Sequence, residues 1–123
     1  MTLLHWQSLY DKNMANTFKN ASLVSVNHAA LATLYTCPAA TTAIILGLAL
    51  TNKTDNSVNA TVQMTDTSAS TTPLLLNEVT IPANTTLEVF AGQKYVLETG
   101  DILKVQSSAA TSLDAVLGLM QIT

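Results

Sequence analysis

Charge is scarce in this chain: Asp, Glu, Lys and Arg make up 11% of its 123 residues, where an ordinary soluble domain carries roughly 25%. The shortage implies that part of the surface meets other protein and is not solvated by ions. The net charge of −3 comes with only five basic residues spread along the chain, so no basic face exists to neutralise phosphates, and general nucleic-acid binding is excluded. Cysteine is almost absent. Cys37 alone allows no intrachain disulfide, no CxxC and no Cys/His metal spacing, which suits folding in a reducing cytoplasm. Four glycines supply neither a P-loop nor a G-x-G-x-x-G phosphate cradle. The longest apolar run, Ala43 to Leu50, is far short of the roughly 20 residues that span a bilayer as a helix. The opening residues Met1-Thr-Leu-Leu-His-Trp6 lack the basic and apolar regions of a signal peptide. Neither a membrane segment nor an export signal is expected.

What is present divides into an N-terminal segment, residues 1–22, and a domain, residues 23–123. In the first, Leu3, Trp6, Tyr10 and Met14 recur at spacings of three and four, one side of a helix, with Gln7, Asp11 and Lys12 opposite. Aromatic anchors dominate interface energetics. The segment therefore reads as an arm or short helix whose Leu3, Leu4, Trp6, Tyr10 and Met14 bind a partner, the alternative being a cap on its own domain.

From Leu23 the period becomes two. Leu23, Ser25 and Asn27 alternate with Val24, Val26 and His28, predicting one or two strands up to Thr36. Cys37-Pro-Ala-Ala40 is a turn, and Thr41 to Thr51, rich in Ile and Leu, is the candidate central strand. Asn52 to Ser57 reads as a solvated loop. Val58 to Thr65 alternates cleanly, Asp66 to Thr72 is a Ser/Thr loop, and Pro73 opens a strand, Leu74 to Ile81. Short strands punctuated by Pro82, Gly92 and Gly100 follow, ending in Ile102 to Gln106. After a small-residue turn comes a last strand, Leu113 to Ile122. About eight strands at spacings of roughly 8–12 residues predict an all-β, antiparallel β-sandwich, jelly-roll-like. The turn Pro38-Ala-Ala-Thr-Thr42 echoes Pro82-Ala-Asn-Thr-Thr86, as two equivalent corners would.

Catalytic, cofactor and metal residues are not expected. There is no G-x-S-x-G elbow, and His5 and His28 fall in the arm and in a strand. Cys37, beside Pro38, has no cationic neighbour to make it a thiolate. The acids stand singly, with no D-x-D-x-D-G loop, although Asp55 and Asp101 could meet across turns. Sequons at Asn20, Asn52, Asn59 and Asn84 reflect composition. A sugar site would need an exposed aromatic platform, and Tyr10, Tyr35 and Tyr95 are far apart in sequence.

Tyr35-Thr-Cys-Pro-Ala39, the strand Ala43 to Asn52, Ile81-Pro-Ala-Asn-Thr-Thr-Leu-Glu88, Gly92 and Leu97-Glu-Thr-Gly-Asp-Ile-Leu-Lys-Val105 together resemble, in order and spacing, small virion structural proteins of tailed bacteriophages. Residues 1–28 fall outside the resemblance, and Cys37 stands where an aliphatic residue is more usual. The resemblance implies a non-enzymatic subunit present in many copies in the virion and assembled in the host cytoplasm. The first reading is a capsid decoration or cement protein, a homo-oligomer such as a trimer, partnering the major capsid protein. The second is a neck, tail or fibre component. A carbohydrate-binding adhesion module is the third.

Overall fold

The computed structural model describes residues 15–123. Nine strands are formed, with no helix among the described residues: β1 (Asn16–Leu23), β2 (Ala32–Thr36), β3 (Thr42–Asn52), β4 (Val58–Thr65), β5 (Leu74–Ile81), β6 (Thr86–Glu88), β7 (Tyr95–Leu97), β8 (Ile102–Ser107) and β9 (Leu113–Ile122). They build two antiparallel sheets. One runs β1-β9-β3-β6, with β7 also on β3, and the other runs β2-β8-β4-β5. Strands β6 and β7 pair with opposite ends of the same edge of β3, Ala49–Thr51 and Ala43–Ile45 respectively. They fill one strand position interrupted by a corner at Ala91 and Gly92, both at positive φ. The antiparallel β-sandwich expected from the sequence is the observed fold.

The sandwich closes because alternate residues of the central strands are apolar. Ala43, Ile45, Leu48 and Leu50 of β3 and Ala115, Leu117 and Leu119 of β9 meet Ala60 and Val62 of β4 and Leu103 and Val105 of β8, all 1% exposed or less. Polar groups inside the core are answered. The fully buried Asn52 donates Nδ2 to the carbonyls of Asn56, Ile81 and Pro82 at 2.8, 3.1 and 3.1 Å. Its Oδ1 accepts from the Thr54 amide and hydroxyl. Buried Asp101 accepts from the amides of Thr67 and Glu98, each at 2.9 Å. No buried side-chain nitrogen or oxygen among the described residues lacks a partner, as a native interior requires.

Three sequence expectations change. Residues 16–22, read as the end of the N-terminal segment, lie in β1, which pairs along its whole length with β9. Its pattern was hidden because β1 is an edge strand overhanging the other sheet, so inward-facing Thr17 and Lys19 remain exposed while Ala21 and Leu23 reach the core. The strand expected to run on from Leu23 is instead a crossing between sheets. Ser25 turns at φ 54° and Val26, its amide bonded to the Leu113 carbonyl, plugs the core. His28 is on that exposed crossing. Asn52 is no solvated loop residue, and its sequon is closed by burial.

The two echoing turns are alike in conformation. Ala40 and Asn84, the third residue of each, have φ of 53° and 55°, and the following threonine hydroxyl donates to the carbonyl two residues back, Thr41 to Ala39 and Thr85 to Ala83. Asparagine tolerates this left-handed conformation; alanine pays roughly 1–2 kcal/mol for it. Ala40→Gly is therefore expected to stabilise the fold by about 0.5–1 kcal/mol, net of the extra chain entropy of glycine. A thermal melt no higher than that of the parent would contradict this account of the turn.

Candidate functional site: an apolar sheet face

The outward faces of the two sheets differ in kind. On the β2-β8-β4-β5 sheet, Thr33, Lys104 and Gln63 stand in one cross-strand row that ends on exposed Leu74, and Gln106 and Thr61 in the next, a mainly polar face. On the β1-β9-β3-β6 sheet the register aligns Phe18, Met120, Ile44 and Val96 across four strands. The flanking rows hold Asn16, Ile122 and Thr42 on one side and Asn20 and Gly118 on the other, where a bulge in β3 presents Leu46. Phe18 is 72% exposed, Val96 55%, Val116 50% and Leu46 39%. No charged residue is paired within these rows, although Lys19 lines the hollow beside Phe18 and Glu98 stands beside Thr42 and Ile122 at their edge. Further charge stands at Glu88, opposite Ala49 in the row of Val116, and at the Lys53–Asp114 pair, 2.9 Å apart. The Lys53 hydrogen bond, then the Ser25 amide, hold the Asp114 carboxyl below the usual carboxylate range.

Four strand positions about 4.8 Å apart and three rows about 6.7 Å apart make this face roughly 400 Å², within the size range of surface patches that serve as interaction sites. It also has relief. Gly118 lies opposite Gly47, and a hollow, or notch, of about 240 Å³ beside Gly118 is lined by Phe18, Lys19, Asn20, Leu46, Gly118 and Leu119. Neither glycine has a positive φ, and a Cβ on Gly47 would meet nothing within 4 Å. Backbone geometry therefore does not require glycine here, and what its absence of side chain provides is space.

Of the sequence-predicted partner-binding residues, Leu3, Leu4, Trp6, Tyr10 and Met14 all lie outside the described residues. The apolar face itself was not singled out from the sequence, though its signal was present. Both β3 and β9 are apolar at both parities, Ile44, Leu46 and Ala49 against Ile45, Leu48 and Leu50, and Val116, Met120 and Ile122 against Leu117 and Leu119. Such strands are normally covered on both sides, and here no strand or loop of the described residues packs over the outer side.

The remaining chemistry is quiet. Burial pushes the Cys37 thiol up, and Asp101 adds to the rise; its Sγ sits 3.3 Å from the Thr41 carbonyl oxygen, so it is a packed thiol and not a nucleophile. Tyr35 is raised by burial and accepts a 2.7 Å hydrogen bond from Gln121 Nε2. Tyr95 stacks on Phe90, ring centroids 4.8 Å apart, so neither tyrosine offers an open platform. Asp55 is bonded to Asn84 and Asp101 to backbone amides, so these acids do not converge. No group of three metal-ligating side chains occurs among the described residues. A polar hollow of about 470 Å³ is lined by His28, Asn59, Thr61, Asn77, Glu78 and Gln106, with no aromatic side chain on its walls.

The fold and face define a two-sheet, all-β protein whose outstanding surface is an apolar plane without a reactive group. No protein-family model matches the chain, and no curated protein matches it by sequence. Its fold is shared with solved structures. A Bacillus endospore appendage, from a family of disulfide-linked pili, superposes with a TM-score of 0.54 at 11% identity over 89% of each chain. The acid-stable capsid of Helicobacter pylori bacteriophage KHP30 contains a chain with a TM-score of 0.54 at 10% identity over 90% of each. The Drosophila NLP core, described for pentamer formation and histone binding, gives 0.51 at 10% identity over 87% of this chain and 99% of that one.

Proposed function

We propose that this protein is a non-enzymatic structural subunit of a bacteriophage virion, and within that class a capsid decoration or cement protein: a homo-oligomer that binds across neighbouring capsid subunits and stabilises the head. The observation that carries the reading is the charge-poor outer face of the β1-β9-β3-β6 sheet, with Phe18, Val96, Val116 and Leu46 exposed on it, a surface suited to burial against protein. The winding supports it. With β6 and β7 taken as one position, the sheet orders β1-β9-β3-β6 and β2-β8-β4-β5 are those of a jelly roll, an architecture that capsid domains use. The KHP30 capsid neighbour agrees with this. Leu3, Leu4, Trp6, Tyr10 and Met14 are the proposed partner-binding residues. The mechanism is mass action: a ligand that binds only the assembled shell stabilises that shell.

A neck, tail or fibre component is the second reading, and the pilus neighbour favours it. Those pili are disulfide-linked, however, whereas Cys37 is buried and cannot join subunits covalently without opening the sandwich. Copy number in purified particles separates the two. A decoration protein is near-stoichiometric with the major capsid protein and adds to expanded heads but not to isolated tails. A few copies per virion, co-purifying with tails, would overturn the head assignment.

A further inference from the structure

We infer that the apolar face of the β1-β9-β3-β6 sheet is the receptor for residues 3–14 of a neighbouring copy of this chain, with Trp6 seated in the notch over Gly118. This goes beyond the virion reading and does not depend on it, since it concerns how copies of the isolated protein join.

The spacings agree. Met14, Tyr10 and Trp6 lie four residues apart, so in a helix they are separated by about 6.0 Å along one side, with Leu3 about 4.5 Å further on. Outward rows of the sheet, two residues apart, are separated by about 6.7 Å. Met14, Tyr10 and Trp6, spanning about 12 Å in a helix, therefore register with three successive rows spanning about 13 Å: Ile122, then Phe18–Met120–Ile44–Val96, then the notch beside Leu46. The notch, about 240 Å³, falls on the row reached by Trp6, the bulkiest of the three. Leu4 widens the apolar side, while Gln7, Asp11 and Lys12 on the other side stay in solvent.

The donor is another copy because of where the segment begins. The Ala15 carbonyl accepts from the Thr123 amide at 3.0 Å and its hydroxyl at 3.3 Å, which holds Ala15 in the plane of its own sheet. A layer packed on that sheet stands about 10 Å above it. Climbing that far takes about three extended residues at roughly 3.3–3.6 Å each, so folding back would consume Met14 and remove it from the row it matches. A neighbour's face imposes no such reversal. The fourteen residues extend at most about 50 Å, enough to reach an adjacent domain.

The test uses three full-length variants, two on the face and one in the segment. Gly118→Val fills the notch; its new Cβ meets only Asn20 Oδ1, at an ordinary 3.8 Å. Leu46→Ser, on an exposed side chain, serves as the second face variant. Trp6→Ser with Tyr10→Ser disables the segment and leaves the face intact. By analytical ultracentrifugation the parent is expected to self-associate, and each variant alone to associate about thirtyfold or more weakly, the loss of a central aromatic anchor. Mixing Gly118→Val with Trp6→Ser/Tyr10→Ser pairs one intact segment with one intact face and is expected to restore a 1:1 complex. Emission from Trp6, the single tryptophan, then shifts to the blue. The inference is overturned if the parent is monomeric, whether Trp6 is exposed or shielded by its own chain. It is equally overturned if the segment variant still self-associates through bare faces, if the face variants associate as tightly as the parent, or if the mixture forms no complex.

Discussion

Asn52→Ala is expected to lower the free energy of unfolding by about 3 kcal/mol, because one buried amide holds three separate pieces of chain. Its Nδ2 donates to the carbonyls of Asn56, Ile81 and Pro82, and its Oδ1 accepts from the Thr54 amide and hydroxyl. It thereby ties the end of β3 to the following loop and to the turn between β5 and β6. A net hydrogen bond contributes about 1 kcal/mol, and a buried carbonyl left without a donor costs about 1–3 kcal/mol. The two Thr54 groups and the outermost carbonyls can turn to water, which keeps the total well below the simple sum. Urea denaturation should show a lower midpoint with an unchanged slope. Asn52→Asp separates the donor from the acceptor role. It still accepts from Thr54 but sets a carboxylate oxygen against carbonyl oxygens, which raises its folded pKa above the unfolded value. Relative to Asn52→Ala at the same pH, the aspartate variant should lose stability as pH rises from the ordinary carboxylate range up through its raised folded pKa, and regain it on acidification. Equal midpoints for Asn52→Ala and the parent would show that water replaces this network freely.

Leu117→Ala should cost about 3–4 kcal/mol and Val116→Ala no more than about 0.5 kcal/mol, although the two are adjacent in β9. Leu117 is 0% exposed, between Ala21 of β1 and Leu48 of β3 in the middle of the larger sheet, with no mobile neighbour to collapse into the space. Val116 points to the opposite face and is 50% exposed. The contrast measures which side of β9 is core. Thermal or denaturant melts at low protein concentration, where association does not contribute, decide it. Comparable losses at the two positions would mean that the outer face is already covered within one chain.

The strands were legible wherever one face is polar and one buried. Val58–Thr65 alternates because β4 has the core on one side and solvent on the other, and the sequence places its ends correctly. Turns were legible where backbone geometry restricts the residue: Pro82 with Asn84, Gly92, and Gly100 beside Asp101. The edge strand β1 was not legible, since an overhanging strand needs no apolar residues at Thr17 and Lys19. Asn52 was misread because composition marks asparagine as a loop residue, and only three converging carbonyls make it an interior one. Residues 24–31 kept a period of two across a crossing, where Val26 is drawn inward by the gap between sheets and not by a ladder.

The sequence alone determined a charge-poor antiparallel β-sandwich over the described residues, because strand periodicity, turn chemistry and composition are local. Tertiary structure decided which of the two apolar sides of β3 and β9 became core and which stayed open. Strand order and register set that choice, and they are non-local: only the pairing of residues as distant as Phe18 and Met120 gathers scattered side chains into a single plane.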